Sequence, residues 1–178
     1  MRKFLKTNAL AVVLGVMLVA PTHADIGIIP LRQLVSQVDL IVVAHIIRIE
    51  LEQQGEARFG VAIARVDEVW KGSTDLELRV NLARWSACDI STAIKGEQVL
   101  LFLERDPASG GSDYRIGHQG RGRMPIETID GQRLCKGSGV VGGEDLPSWE
   151  ARTEKISLAS IKQAVTKIGE TRGHLPVR

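Results

Sequence analysis

Apolar positions along the chain follow two different periods. Leu31, Leu34, Val35 and Val38 fall on one helical face, and Pro30 suits a first helical position, so residues 30–40 are expected to form a short helix. Residues 39–52, "DLIVVAHIIRIELE", are β-branched and apolar on both faces at their centre, which predicts a strand buried on both sides there. "QQGE" then punctuates the chain. In residues 57–72, Phe59, Val61 and Ile63 alternate with other positions until the phase slips near Ala64 to Val66, as a β-bulge would make it do. "KGSTD" has the length and the glycine of a hairpin connection, and "LELRVNL", 76–82, alternates strictly, as a strand with one wet face does.

Downstream the pattern shortens. Residues 83–96 break the alternation and read as a crossing loop or short helix, while "EQVLLFLER", 97–105, is a strand with a buried middle. Residues 114–135 read as two or three short strands around glycines, with Asp130-Gly131 as a tight turn. Residues 136–150 are glycine-rich and irregular. Leu158, Ile161, Ala164, Val165 and Ile168 make one face of a helix over 157–170, with Ser157 as N-cap. Strands do not alternate with helices as a parallel sheet requires. The expected fold is mainly β: an OB-like closed antiparallel barrel of five or so strands, because small all-β domains must hide their edges, with one short helix before and one helix after.

The first 24 residues stand apart. Arg2, Lys3 and Lys6 precede the apolar run 9–20, Pro21 breaks it, and "THA" ends in a small residue, the layout of a cleaved export signal. The run is shorter than the roughly 20 residues a membrane span needs, so an uncleaved anchor is the lesser reading. The chain carries 23 basic and 21 acidic side chains. Removing Arg2, Lys3 and Lys6 leaves 20 against 21, a near-neutral domain without a bias toward nucleic acid. Residues 25–170 are expected to form a single domain and 171–178 a loose tail, in a periplasmic or secreted protein with no stable membrane insertion after cleavage. In an oxidising compartment the two cysteines, Cys88 and Cys135, most simply pair as a disulfide. The loop would be about 48 residues long, worth roughly 4 kcal/mol in the chain-entropy account. Two free thiols or one reactive cysteine are the alternatives.

A helix leading into "DLIVVAHIIRIE", a strand ending in "VDEVWKG", then "LELRVNL", a cysteine and "GEQVLLFLE" resembles the netrin-like domain of the tissue inhibitors of metalloproteinases, in its bacterial exported relatives. The matching positions are Val66, Val69, Lys71 and Gly72 in the V-x-x-V-x-K-G turn, and Cys88, Gly96, Val99, Leu100 and Phe102 around the next strand. The resemblance covers roughly residues 31–104 and implies an OB-like barrel used as a binding module. It does not extend to inhibition. The family chelates the protease zinc through a cysteine at the mature N-terminus, where this sequence has Asp25-Ile26-Gly27, and the family's several disulfides are also missing.

Candidate chemistry is sparse. His45, His118 and His174 lie far apart in no ligand spacing, so no metal or other cofactor is expected. His45 sits in a strand that reads as buried and is expected to be a satisfied core histidine. "GSGVVGG", 137–143, lacks the Lys-Ser/Thr of a phosphate loop, and no serine sits in a G-x-S-x-G turn. In "HQGRGRMP" Arg121 and Arg123 share one side of an extended segment, and with Arg115 and His118 they form a candidate rim for a carboxylate or phosphate, although a solvated hairpin face is the commoner role. Trp85 is the second candidate, as a partner anchor or as a cap on the core, the latter being commoner. These five residues, Trp85, Arg115, His118, Arg121 and Arg123, are the binding candidates. The expected function is an exported, non-enzymatic binding module whose partner is another exported protein or an envelope component. A small exported enzyme using His118 with a free Cys88, or an envelope structural protein, is the alternative.

Overall fold

A computed structural model describes residues 29–54, 57–82, 89, 91–136, 140–141 and 155–173. Among them the order is β1 (Ile29–Pro30), α1 (Leu31–Gln37), β2 (Leu40–Gln54), β3 (Ala57–Lys71), β4 (Glu77–Asn81), β5 (Gln98–Arg105), a 3-10 turn (Pro107–Ser109), β6 (Tyr114–Ile116), β7 (Arg123–Ile129), β8 (Gln132–Lys136), β9 (Val140–Val141), β10 (Lys155–Ser157) and α2 (Leu158–Gly173). The chain is mainly β, with one helix near each end of the described residues. Pro30 is the cap of α1 rather than its first residue, and Ser157 belongs to β10.

Eight strands form one sheet in the order β10-β8-β7-β5-β2-β3-β4-β6, and β5 also pairs with β6. The pairings therefore run in a closed ring, β2-β3-β4-β6-β5 and back to β2. Five strand directions cannot alternate all the way round a ring, so one neighbouring pair has to be parallel. That pair is β4–β6, with Val80 opposite Tyr114. This corrects the expectation of a wholly antiparallel arrangement. The strand count is also higher than five, because β7, β8 and β10 extend the sheet beyond the ring and β1 pairs with β9 separately. The tight turn at Asp130-Gly131 is as expected: both residues have positive φ, 49° and 76°, and Ile129 faces Gln132 across it.

β2 explains why its sequence is apolar on both faces. Leu40, Val42, Ala44 and Ile46 join Ala62, Ala64, Leu78, Val80, Val99, Leu101, Leu103, Tyr114 and Ile116 in one cluster inside the ring. Ile41 and Val43 face the other way, into a second cluster with Leu34 and Val35 of α1, Phe102, Met124, and Ile161, Val165 and Ile168 of α2. Both helices thus cover one side of the sheet, and the helical face predicted for 158–168 is the face that is buried there.

The "WKG" stretch joins these layers. The Lys71 ammonium donates to the carbonyl of Val35 at 2.8 Å and to that of Val38, closing the C-terminal end of α1 with charge-assisted bonds. Asp39, which follows α1, accepts the Arg105 backbone N–H at 2.8 Å. Lys71→Met keeps the aliphatic stem and removes the donor. It should lower stability by about 1–3 kcal/mol in denaturant unfolding, whereas an unchanged midpoint would mean that the α1 carbonyls are satisfied by water.

Candidate functional site

The expected arginine rim is built differently from the pattern in the sequence. Arg115 on β6 faces Glu104 on β5 in register, and its Nε and Nη2 both donate to Glu104 Oε2, at 3.0 and 2.7 Å. The other oxygen of Glu104 accepts the His118 backbone N–H at 3.2 Å. His118, Gln119 and Gly120 are three consecutive left-handed residues, with φ of 50°, 58° and 88°, so the β6–β7 loop is a strained turn folded about that carboxylate. Burial lowers the His118 pKa, with Glu104 opposing the shift and Arg121 adding to it, so the ring is biased toward neutrality. Its Nε2 is buried without a hydrogen-bond partner among the described residues. Arg123, at the start of β7, turns to Glu97: its Nε donates to Oε1 at 3.0 Å and its Nη2 to Oε2, with the two side chains only 14% and 12% exposed. Arg115 and Arg123 therefore each hold a carboxylate of their own chain. The structure brings Arg115 and His118 together at Glu104 and sends Arg123 to Glu97.

His45 lies on β2 half-exposed rather than in the core, with Nδ1 2.8 Å from Asp67 Oδ2. Trp85, Cys88 and His174 lie outside the described residues. Cys135 on β8 is fully buried, and its pairing with Cys88 lies outside the described residues; in the thiol form burial pushes it up to about 12, far from a reactive thiolate.

The cleft that best combines an apolar lining with convergent polar groups lies elsewhere, between β3, β8 and the start of α2. It has a volume of about 610 Å3, and Glu68, Trp70, Arg133, Leu158 and Lys162 line it. A larger hollow of about 760 Å3 near Arg79 and Tyr114 is mostly polar, and Arg79 is taken up there by Glu50, Glu52 and Asp113. The Trp70 cleft is positioned by the register of β3. Val42 faces Val69 and Ile41 faces Lys71, so Trp70 is skipped by the ladder, and Asp67 is skipped in the same way between Val43–Glu68 and Ala44–Val66. The phase slip read near 64–66 is thus real but sits slightly later. Such bulges re-aim side chains, and Trp70 packs half-buried against the helix-side core.

Glu68 is the hub of the cleft. Its Oε2 accepts from Lys162 Nζ at 2.8 Å and from the Trp70 indole at 3.1 Å, and its Oε1 accepts from Arg133 Nη1 at 3.0 Å. The Lys162 ammonium also lies 5.8 Å from the centroid of the Trp70 ring. The Lys162 bond first, then Trp70 and Arg133, hold the Glu68 carboxyl at about 2, well below its ordinary 4.5. A depressed carboxyl stabilises the folded state fully above its unfolded pKa and loses that contribution as pH falls through the folded one. Acidification from pH 5 toward 2 should therefore cost on the order of 1–2 kcal/mol, discounted for solvent screening, and loosen α2 from β3 and β8. Glu68→Gln should flatten that part of the stability–pH curve, and an equally steep curve in the variant would place the acid sensitivity elsewhere.

No protein-family model matches the chain, and no curated protein matches it in sequence. Its function is therefore argued from the site. Sequence reasoning missed this cleft because its four polar or aromatic members come from three elements, with Glu68 and Lys162 94 positions apart. The only local sign was the phase slip just before Trp70.

Proposed function

We propose that the chain is an exported, OB-type binding module, similar to netrin-like domains, that engages another exported protein or an envelope component through the Trp70 cleft. The cleft carries this reading: one tryptophan and two cations are held in place around a carboxylate at the junction of sheet and helix. The five-strand ring with a single parallel pair supports the OB reading, since a small barrel closes in that manner. Lys71 and Gly72 of the family-like turn serve as scaffold under α1, which fits a domain whose function lies on its surface. The leader-like residues 1–24 support export. No described helix is long and apolar enough to cross a membrane.

Affinity capture from envelope extract tests the reading. The intact chain should retain a specific partner, and Trp70→Ala should lose it while remaining folded by circular dichroism, at a melting temperature lowered by the core packing Trp70 gives up. Retention of the same partner by both proteins would remove the cleft from the account. Export predicts a processed N-terminus at Asp25, read by mass spectrometry. The expected Cys88–Cys135 pairing predicts no titratable thiol in the denatured, unreduced chain, and two thiols would restore the alternative of a Cys88–His118 enzyme.

A further inference from the structure

We propose that the Trp70 cleft takes an organic carboxylate bearing an apolar arm, with the carboxylate on Arg133 and Lys162 and the arm against Trp70, Leu158 and Ala159. This rests on the cleft being the binding surface and adds the chemistry of what it binds.

Charge and geometry support the choice. Two cations, Arg133 and Lys162, share one carboxylate, Glu68, so the cluster carries an excess positive charge. Arg133 uses Nη1 alone on Glu68, and its Nε is buried without a hydrogen-bond partner among the described residues. A guanidinium offers a planar fork that suits a carboxylate bound through two parallel bonds. Here that fork is half used, and a second carboxylate gives Nε an acceptor once the part-exposed side chain turns outward to meet it. Both cations reach the surface, at 36% and 54% exposed, so an incoming anion meets them without opening the core. The first residues of α2, Leu158 and Ala159, lie in the lining, and the first turn of that 16-residue helix holds no acidic side chain to compete for its positive end.

The arm is specified by the rest of the lining. Trp70 and Leu158 supply apolar surface, and a second hollow of about 600 Å3 along α2 shares Ala159 and Lys162 with the first. A compact inorganic anion would leave this surface wet. An apolar arm of several carbons covers it and gains the burial. The same chemistry is present in a free aliphatic acid and at a polypeptide C-terminus ending in an apolar residue.

The test uses the whole chain and the NMR signal of the Trp70 indole N–H, assigned by its disappearance in Trp70→Phe. The probes are hexanoate, N-acetyl-leucine, N-acetyl-leucine amide and acetate. Hexanoate and N-acetyl-leucine should shift the signal saturably, and the amide and acetate should bind at least about tenfold more weakly. Tighter binding of hexanoate points to a free acid as the source, and tighter binding of N-acetyl-leucine points to a polypeptide terminus. Equal binding of acid and amide would overturn the proposal. So would a signal that none of the probes moves, and a partner still captured through Trp70 would then show that only the ligand chemistry was wrong. Glu68→Gln keeps an acceptor for the indole but removes the competing charge, so it should strengthen N-acetyl-leucine binding several-fold. Weakened binding in that variant, if folded, would contradict the competition. Arg133→Lys, which loses the fork and keeps the charge, should bind about tenfold more weakly, and undiminished affinity would overturn the role given to Arg133.

Discussion

Phe102→Ala is expected to destabilise the chain by about 3–5 kcal/mol, the usual range for removing a fully enclosed aromatic ring. Phe102 is completely buried between the sheet and the helices, opposite Ile41 on β2. Its backbone is also used twice by the β6–β7 loop: the carbonyl accepts the Gly117 N–H at 2.9 Å, and its own N–H donates to the Gly122 carbonyl at 2.7 Å. A methyl group at Gly122 would come within 2.6 Å of the same carbonyl, so chain and loop are packed too closely there to fill a void by small shifts. Denaturant unfolding gives the answer directly. A loss near 1 kcal/mol would mean that the helices settle into the space, and the strained turn at His118 would then owe little to the core beneath it.

Gly72→Ala should cost on the order of 2–4 kcal/mol, because two penalties act at one position. Gly72 has φ of 79°, a region that a residue with a Cβ enters at a cost. The added Cβ would also lie 2.6 Å from the Asp39 carbonyl oxygen, a backbone atom held where α1 runs into β2. Relieving that contact moves either Asp39 or Lys71, and Lys71 holds the α1 carbonyls. The variant should therefore lose cooperativity between α1 and the sheet as well as midpoint stability. A variant as stable as the parent would show that the turn has a second conformation, and the role given to "WKG" would fail.

Much of this architecture was legible in the chain. Strict alternation at Leu76 to Leu82 placed β4, and the two-sided apolar run 40–46 announced a strand packed on both faces, which is where Val42 and Val43 lie. The helical spacing of Leu158, Ile161, Val165 and Ile168 identified the buried face of α2. Those patterns are legible because burial repeats with the period of the backbone. The parallel β4–β6 pair was not legible, since it follows from closing an odd number of strands and not from any local residue. The site was less legible still. Arg115, His118, Arg121 and Arg123 are close in sequence and read as one rim. Glu104 and Glu97 arrive from β5 and from the residue before it to occupy Arg115 and Arg123. Glu68, Trp70, Arg133 and Lys162 look unremarkable in their own segments and acquire a role only when α2 docks. Ion pairs between distant segments leave no periodic trace, so folding alone creates them.

The two arginine settings also separate the two accounts of where this protein binds. With the partner captured from envelope extract, calorimetric titration of Arg133→Gln and Arg115→Gln, both checked for unchanged melting temperature, measures the difference. The Trp70 cleft predicts that Arg133→Gln weakens binding about tenfold or more while Arg115→Gln stays near the parent. Full affinity in Arg133→Gln together with loss in Arg115→Gln would contradict the account and return the binding face to the β6–β7 loop.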